Sequence, residues 1–360
     1  MRDLDAPDQF ARSDPKGMLT SIAELPEQCE HGWSLALQLG LPDAYRRPRQ
    51  IVLLGVGGSA IGGDLLRTLV VQESPVPILV HRDYALPAFV DRSTVVVVSS
   101  YSGNTEEALL GFEAALQRAA RVMAITTGGE LSLRANERGL PLWTYNYQAQ
   151  PRAALGYSLM FLLGAIQHME LVSDKSGDVA EATAVMRQWQ SEIKESVPEA
   201  ENRAKQLARR LYHRLPVVYA AEHLSEVARR WKGQFNENSK SWGVFDVLPE
   251  LDHNTVVGYP LPPGLSRLAH VVMLTSPVNH PRVLLRFDIT RELLEGHGYS
   301  CDLIESRGQS LLAQMLSTIH FGDYVSFYLA MLNGVDPWAI GNIEFVKSRL
   351  KGSQIEGPQE

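Results

Sequence analysis

"TVVVVSSYSGNTEEALLGFEAALQ", Thr94–Gln117, is the stretch whose reading decides the fold. It opens on an unbroken apolar run, as a strand buried on both faces of a parallel sheet does. It closes on helical spacing, with Glu106 and Glu107 in the first turn, where the helix dipole favours acids. Between the two lie small hydrogen-bonding residues: Ser99, Ser100, Ser102, Gly103, Asn104 and Thr105. A strand that passes directly into a helix through such a turn is part of a βαβ plan.

The same plan extends outward. "IVLLGVGG" (51–58) reads as a strand ending in glycines, followed by the helical "SAIGGDLLRTLVV". "VPILV" (76–80) and "RVMAITT" (121–127) are further strands. Helical segments without intervening strands follow over 153–169, 178–193 and 198–215. Then the strand–helix alternation resumes: strands over 216–221, 269–276 and 299–306, and helices over 224–240, 281–298, 310–334 and 337–351. The chain thus repeats one plan, and the second copy carries "TSPVNHP" where the first carries "SSYSGNT". A purely structural turn should survive in both copies, so the loss of Gly103 and of two hydroxyl positions favours a ligand role for the first turn.

Composition limits the partners. The 360 residues are 45% hydrophobic and 21% charged, with a net charge of −7 and no long basic run. That excludes a nucleic-acid surface, which needs clustered lysine and arginine. The two cysteines, Cys29 and Cys301, lack ligand spacing and read as reduced thiols. "MRDLDAPDQF" lacks the apolar stretch of a signal peptide, and the longest apolar run (153–166) is too short to span a bilayer. These features predict a cytoplasmic protein that binds no membrane and no metal.

A helix N-terminus offers free N–H groups and a partial positive charge, and small residues let an anion approach the backbone. Ser100, Ser102 and Thr105, with the backbone around Gly103, can surround a phosphate monoester. The same residues also suit an ordinary N-cap by Asn104 or Thr105. A second glycine-rich turn, "GVGGSAIGGD" (55–64), places Gly58 and Ser59 where they can face the same pocket. It is not a dinucleotide fingerprint: Ala60 stands where a third glycine is required, and His81, not an acid, follows the next strand.

With "GVGGSAIGGD" and "SSYSGNTEE", the chain resembles sugar isomerase (SIS) domains, which bind phosphosugars. "PRAALG" (151–156), "FNENSK" (235–240) and "ELDHN" (250–254) narrow this to a resemblance to the bifunctional phosphoglucose/phosphomannose isomerase family of archaea and bacteria, over roughly residues 20–351. The resemblance implies an α/β fold of two SIS-type domains, each a parallel sheet flanked by helices. The expected division is a first domain over 20–165 with the phosphate turn, a helical connection over 166–200, a second domain over 201–351, and flanking segments 1–19 and 352–360. It also implies a cofactor-free aldose–ketose isomerase acting on a phosphosugar through an enediolate.

Such chemistry needs a base that moves a proton between C1 and C2, a group for ring opening and a cation for the enediolate. Glu237, between two asparagines that are poor helix formers, is the candidate base. His253 suits proton exchange with the ring oxygen, and the resemblance implies that it comes from the partner subunit of a homodimer. Arg152, at a helix N-terminus where it opposes the dipole, is implied to face the enediolate. Lys347 is implied to lie near the ring oxygen. Gln309 is a weaker candidate for sugar hydroxyls. One departure stands out: "DPWAIGNIEFVK" (336–347) has no hydroxyl before Lys347, where the family is expected to carry a threonine that accommodates the C2 epimer. The glucose ester is therefore the firmer substrate and the mannose ester the weaker one. The alternatives are a non-catalytic phosphosugar-binding regulator and an aminosugar-phosphate isomerase. A complete aminosugar synthase would begin its chain with cysteine, and this chain begins Met1-Arg2.

Overall fold

The computed structural model describes residues 3–352. Two parallel sheets organise it. The first holds β1 (Gln50–Leu54), β2 (Ile78–His81), β3 (Thr94–Ser100), β4 (Arg121–Thr126) and β5 (Leu142–Thr144), in the order β2-β1-β3-β4-β5. The second holds β6 (Leu215–Ala221), β7 (Val244–Leu248), β8 (Ala269–Thr275) and β9 (Ser300–Glu305), in the order β7-β6-β8-β9. The second order repeats the first four places of the first, so the internal repeat is one of topology. β3 and β8 are buried along their whole length, which is why their sequences show continuous apolar runs.

Helices cover the sheets. α1 (Phe10–Ser13) and α2 (Met18–Ala23) are short and lead into α3 (Leu25–Gln38). α4 (Gly58–Val70), α5 (Glu106–Gln117) and α6 (Gly129–Glu137) belong to the first sheet. α7 (Leu155–His168), α8 (Ser176–Ile193) and α9 (Arg203–Leu211) form the strandless stretch. α10 (Ser225–Glu237), α11 (Leu265–Leu268), α12 (Pro281–Gly296), α13 (Leu311–Asn333) and α14 (Gly341–Gly352) complete the chain. None of the described helices is long and apolar enough to cross a membrane. α7 and α13 are buried all round, as their uniform hydrophobicity requires. α7 packs on α3 and α4, α13 on α8, α9 and α10, and α10 touches α4. One hydrophobic core accordingly joins residues of both sheets, from Leu53 and Phe161 to Trp231 and Tyr328.

The α/β class and the two parallel sheets are as expected. Several boundaries move. β1 ends at Leu54, before the glycines, and the last helix starts at Gly341, four residues after Pro337. β5 and β7 carry no strand signal because they are short edge strands with half-exposed residues, so no continuous apolar run forms. Leu4 and Phe10 are buried in the main core although they precede residue 20. Both cysteines are free. Of the polar tail after Lys351, residues 353–360 lie outside the described part.

Candidate active site

The strand order reverses between β1 and β3, and ligands of open α/β sheets bind at the carboxyl ends of strands at such a switch point. Both glycine-rich turns sit there: β1 passes into α4 through Gly55–Gly58, and β3 into α5 through Tyr101–Thr105. The turns are stitched together by Ser59, whose Oγ accepts a hydrogen bond from the Tyr101 N–H at 3.0 Å. The Ser59 hydroxyl proton stays free to donate.

The ordinary N-cap reading of the turn after β3 does not hold. Thr105 occupies the N-cap position, but its side chain accepts no capping bond; its Oγ1 lies 3.0 Å from Ser100 Oγ. Asn104 turns away and accepts from the Glu130 N–H at 3.0 Å, while Ser102 Oγ accepts from the Asn104 N–H at 3.2 Å. The α5 N-terminus is therefore open to an outside acceptor, with three hydroxyls around it. Gly103 makes this shape possible. It has φ of +66°, and a Cβ there would lie 1.9 Å from the Gly128 carbonyl oxygen. Gly103→Ala is expected to combine left-handed strain with a backbone clash, destabilising the fold by about 2–4 kcal/mol. A thermal scan should show the melting temperature falling by roughly 5 °C or more; an unchanged value would mean that the turn is not held as described.

The second sheet explains why its own turn lost the glycine. After β8, Asn279 Oδ1 accepts from the Ser276 N–H at 2.8 Å. The Glu222 carboxylate, reaching over from the turn after β6, accepts from Asn279 Nδ2 at 2.6 Å and from the His280 N–H at 3.2 Å. At this switch point an internal carboxylate already takes the donors that an anion would use.

Gly58 brings the other half of the site close. A Cβ on it would lie 2.7 Å from the Arg152 backbone nitrogen, so only glycine lets the 3₁₀ turn Pro151–Ala153 pack against the start of α4. That packing puts the Arg152 guanidinium, 3% exposed, into the cleft between the two halves. Each of its nitrogens has a partner. Nε donates to Asn238 Oδ1 at 2.8 Å, Nη1 to Glu237 Oε2 at 3.2 Å and Nη2 to the Pro337 carbonyl at 2.6 Å. Asn238 is itself buried and donates to Ser326 Oγ of α13 at 2.9 Å. Burial lowers the proton affinity of Arg152, and the neighbouring Glu237 carboxylate opposes that. Behind it, Arg230 and Asp323 form a buried ion pair at 2.8 Å.

Glu237 ends α10 and stands between two cavities. One, of about 200 Å³, is bounded by Gly57, Gly58, Arg152 and α10. The other, of about 450 Å³, is bounded by Asn236, Lys240 and Trp242 on one side and by Ala339, Ile340 and Gly341, at the start of α14, on the other. Lys240 lines the larger cavity. Its Nζ donates to the carbonyls of Glu237 at 2.5 Å and Pro337 at 3.4 Å. Burial first, and the Arg152 charge second, push its ammonium down to about 8. Lys240 and Arg152 thus converge on one carbonyl, that of Pro337.

The sequence motifs contain most of this site but not all of it. Arg152 and Glu237, 85 residues apart, are brought together. Asn238 and Lys240 sit inside "FNENSK", yet only the fold shows that one orients Arg152 and the other holds the Pro337 loop. His253, in the 3₁₀ turn after β7, is exposed and lines neither cavity beside Glu237. Lys347 lies on the exposed α14, well beyond the residues that line the larger cavity. Gln309 donates its backbone N–H to Glu181 of α8 and also lines neither cavity.

Known proteins resemble this chain in sequence over nearly its whole length. A bifunctional phosphoglucose/phosphomannose isomerase of Caldicellulosiruptor bescii is 41% identical over 334 residues, covering 92% of this chain and 98% of that protein. The chain belongs to the bifunctional phosphoglucose/phosphomannose isomerase family. A second member, from Aquifex aeolicus, is 38% identical over 84% of this chain and 90% of its own. Residues 200–350 match the family model described as the bacterial phospho-glucose isomerase C-terminal SIS domain. Among solved structures, a hypothetical protein from Thermus thermophilus superposes with a TM-score of 0.74, covering 96% of this chain and 92% of that one at 18% identity, a likeness of fold. Family membership thus rests on sequence identity, and the SIS architecture on sequence and fold together.

Proposed function

We propose that this protein is a phosphosugar aldose–ketose isomerase that interconverts glucose 6-phosphate and fructose 6-phosphate, and more slowly acts on mannose 6-phosphate. The observation that carries the reading is the Arg152–Glu237 pair at 3.2 Å, beside a cavity bounded by Gly58, whose neighbour Ser59 is hydrogen-bonded to the turn that leads into the uncapped α5. The phosphate is held by Ser100, Ser102 and Thr105 and by the α5 N-terminus, with Ser59 and the Gly58 backbone at its flank. This is dipole stabilisation that needs no lysine. The open-chain sugar then extends toward Glu237. Its carboxylate takes the C2 proton, the electron pair closes the C1–C2 enediolate, a proton passes from O2 to O1, and the same carboxylate returns the first proton to C1 as the C2 carbonyl forms. Arg152, already oriented by Asn238 and Pro337, faces the developing negative charge without having to reorganise.

Ring opening falls to His253, and Lys347 approaches the ring oxygen. Because His253 lies away from the Glu237 cavities of its own chain, the reading includes a cytoplasmic homodimer in which His253 of the partner subunit completes each site. Exposed apolar residues beside the larger cavity, Trp242 at 79% and Phe345 at 60%, supply surface that a partner can cover. A regulator that only sensed phosphosugar would not need a carboxylate held by a buried arginine at the same cleft.

The test is direct. Purified protein with chelator present should form ketose from glucose 6-phosphate, and faster than from mannose 6-phosphate, because apolar Ile340 lines the Glu237 cavity and no hydroxyl stands between Pro337 and Lys347. Failure to convert either ester would overturn the enzyme reading. A faster mannose reaction would overturn the epimer preference.

A further inference from the structure

The one-sided pattern of a surface helix fails in α12. Its inner face is buried through Phe287, Thr290 and Leu294. Leu285, Ile289 and Leu293, spaced by four along the outer face, are apolar too and stand 43%, 49% and 43% exposed. A helix that only covered its own sheet would carry polar residues there. The charges are misplaced as well. Arg282 sits in the first turn, which holds no acid, and Glu292 and Glu295 lie toward the C-terminal end, whose last turn holds no base. All three oppose the helix dipole. They are exposed, and none makes an ion pair among the described residues; the pairs on this helix are Arg286 with Asp252 at 2.7 Å and Arg291 with Asp288 at 3.8 Å.

A second copy of the chain running the other way answers both features. We propose that the outer face of α12 is the two-fold interface of a dimer of this chain, packed antiparallel on the same helix of its partner. With the axis at Ile289, Leu285 meets the partner's Leu293 and Ile289 meets its own equivalent. Arg282 then lies about one helical turn along the axis from the partner's Glu292, and each misplaced charge faces its opposite. The loop that carries His253 belongs to the same face. Thr290 Oγ1 donates to Asp252 Oδ1 at 2.9 Å, and the Tyr259 ring lies 6.4 Å from that of His297, the C-cap of α12. Residues 252–259 therefore run beside α12, with Val257 79% exposed, and widen the face toward the roughly 800 Å² per partner that a stable interface needs. The inference rests on the isomerase reading only for its bearing on the site. Glu237 and Trp242 precede β7 and His253 follows it, so they belong to opposite ends of that strand. α12 joins the parallel strands β8 and β9 and runs against them. An antiparallel α12 pair thus sets the two second sheets antiparallel, and turns the His253 end of one β7 toward the end that carries the partner's Glu237.

The experiment is analytical sedimentation of the intact protein over a concentration series, beside Ile289→Asp, Arg282→Glu, Glu292→Arg and the double variant with both reversals. The parent is expected to sediment as a dimer at micromolar concentration. Ile289→Asp sets two carboxylates against each other at the axis and should raise the dimer dissociation constant at least about a hundredfold. Each single reversal places like charges together twice, by symmetry, and should raise it about tenfold. The double variant restores opposite charges and should return to within about threefold of the parent, a coupling that a misfolded surface would not show. Each reversal suits the dipole of its own helix, so circular dichroism should show every variant folded as the parent. A monomeric parent, a dimer that Ile289→Asp and both single reversals leave intact, or a double variant no tighter than the single ones overturns the inference. Sedimentation decides the interface whether or not the protein isomerises a phosphosugar; a dimer of this kind without isomerase activity overturns the isomerase reading alone.

Discussion

Glu237→Gln is expected to abolish turnover and leave the phosphosugar bound. The amide is isosteric and can still accept from Arg152 Nη1 through its oxygen, so the 3.2 Å contact and the Asn238 and Pro337 bonds to the same guanidinium have no reason to break. What is lost is the ability to take a proton. Removing a positioned general base costs on the order of 10²–10⁴-fold in kcat. The phosphate turn is separate from residue 237, so affinity for fructose 6-phosphate, read by calorimetry, should stay within about threefold, a shift of under 1 kcal/mol. A variant that keeps the parent kcat would remove Glu237 from the base role. One that loses kcat and affinity together would make Glu237 a binding residue.

Mixing two inactive variants should restore activity. His253→Ala and Glu237→Gln proteins each lack one group at every site. If His253 acts across a two-fold interface, a mixed dimer carries one site lacking both groups and one site with both intact. Random assortment makes half of all dimers mixed, so unfolding and refolding an equal mixture should regain about a quarter of the parent activity. If His253 served its own chain, every site would still lack one group and the mixture would regain nothing. The structure motivates the trans arrangement: His253 is exposed at the end of the second sheet and borders neither cavity at Glu237, while Trp242 stands almost fully exposed at the rim of one of them.

How much of this was legible beforehand depended on the physical signal. The buried strands β3 and β8 announced themselves because a strand covered on both faces must be apolar throughout. The edge strands β5 and β7, half-exposed and short, had no such obligation. The open turn after β3 was readable from small residues between strand and helix, and the two copies differ there in structure as in sequence: Glu222 accepts from Asn279 at the second switch point, while Gly103 shapes the first. The roles of Asn238, Lys240 and the Pro337 carbonyl were not readable. Each depends on segments 85 residues or more from Arg152 meeting at one guanidinium, and no local pattern encodes that meeting. The stretch around Lys347 looked like one helix from Pro337 onward. In the fold, residues 337–340 are instead a non-helical strap whose first carbonyl binds both Arg152 and Lys240.

The most direct measurement is a crystal structure of the Glu237→Gln protein with fructose 6-phosphate bound. The account predicts the phosphate within hydrogen-bonding reach, about 3 Å, of Ser100, Ser102 and Thr105, with C1 and C2 of the open-chain sugar against the side chain at position 237 and Arg152 beside O1 and O2. A phosphate seated away from this turn, or a sugar whose first two carbons lie away from position 237 in every protomer, would contradict it.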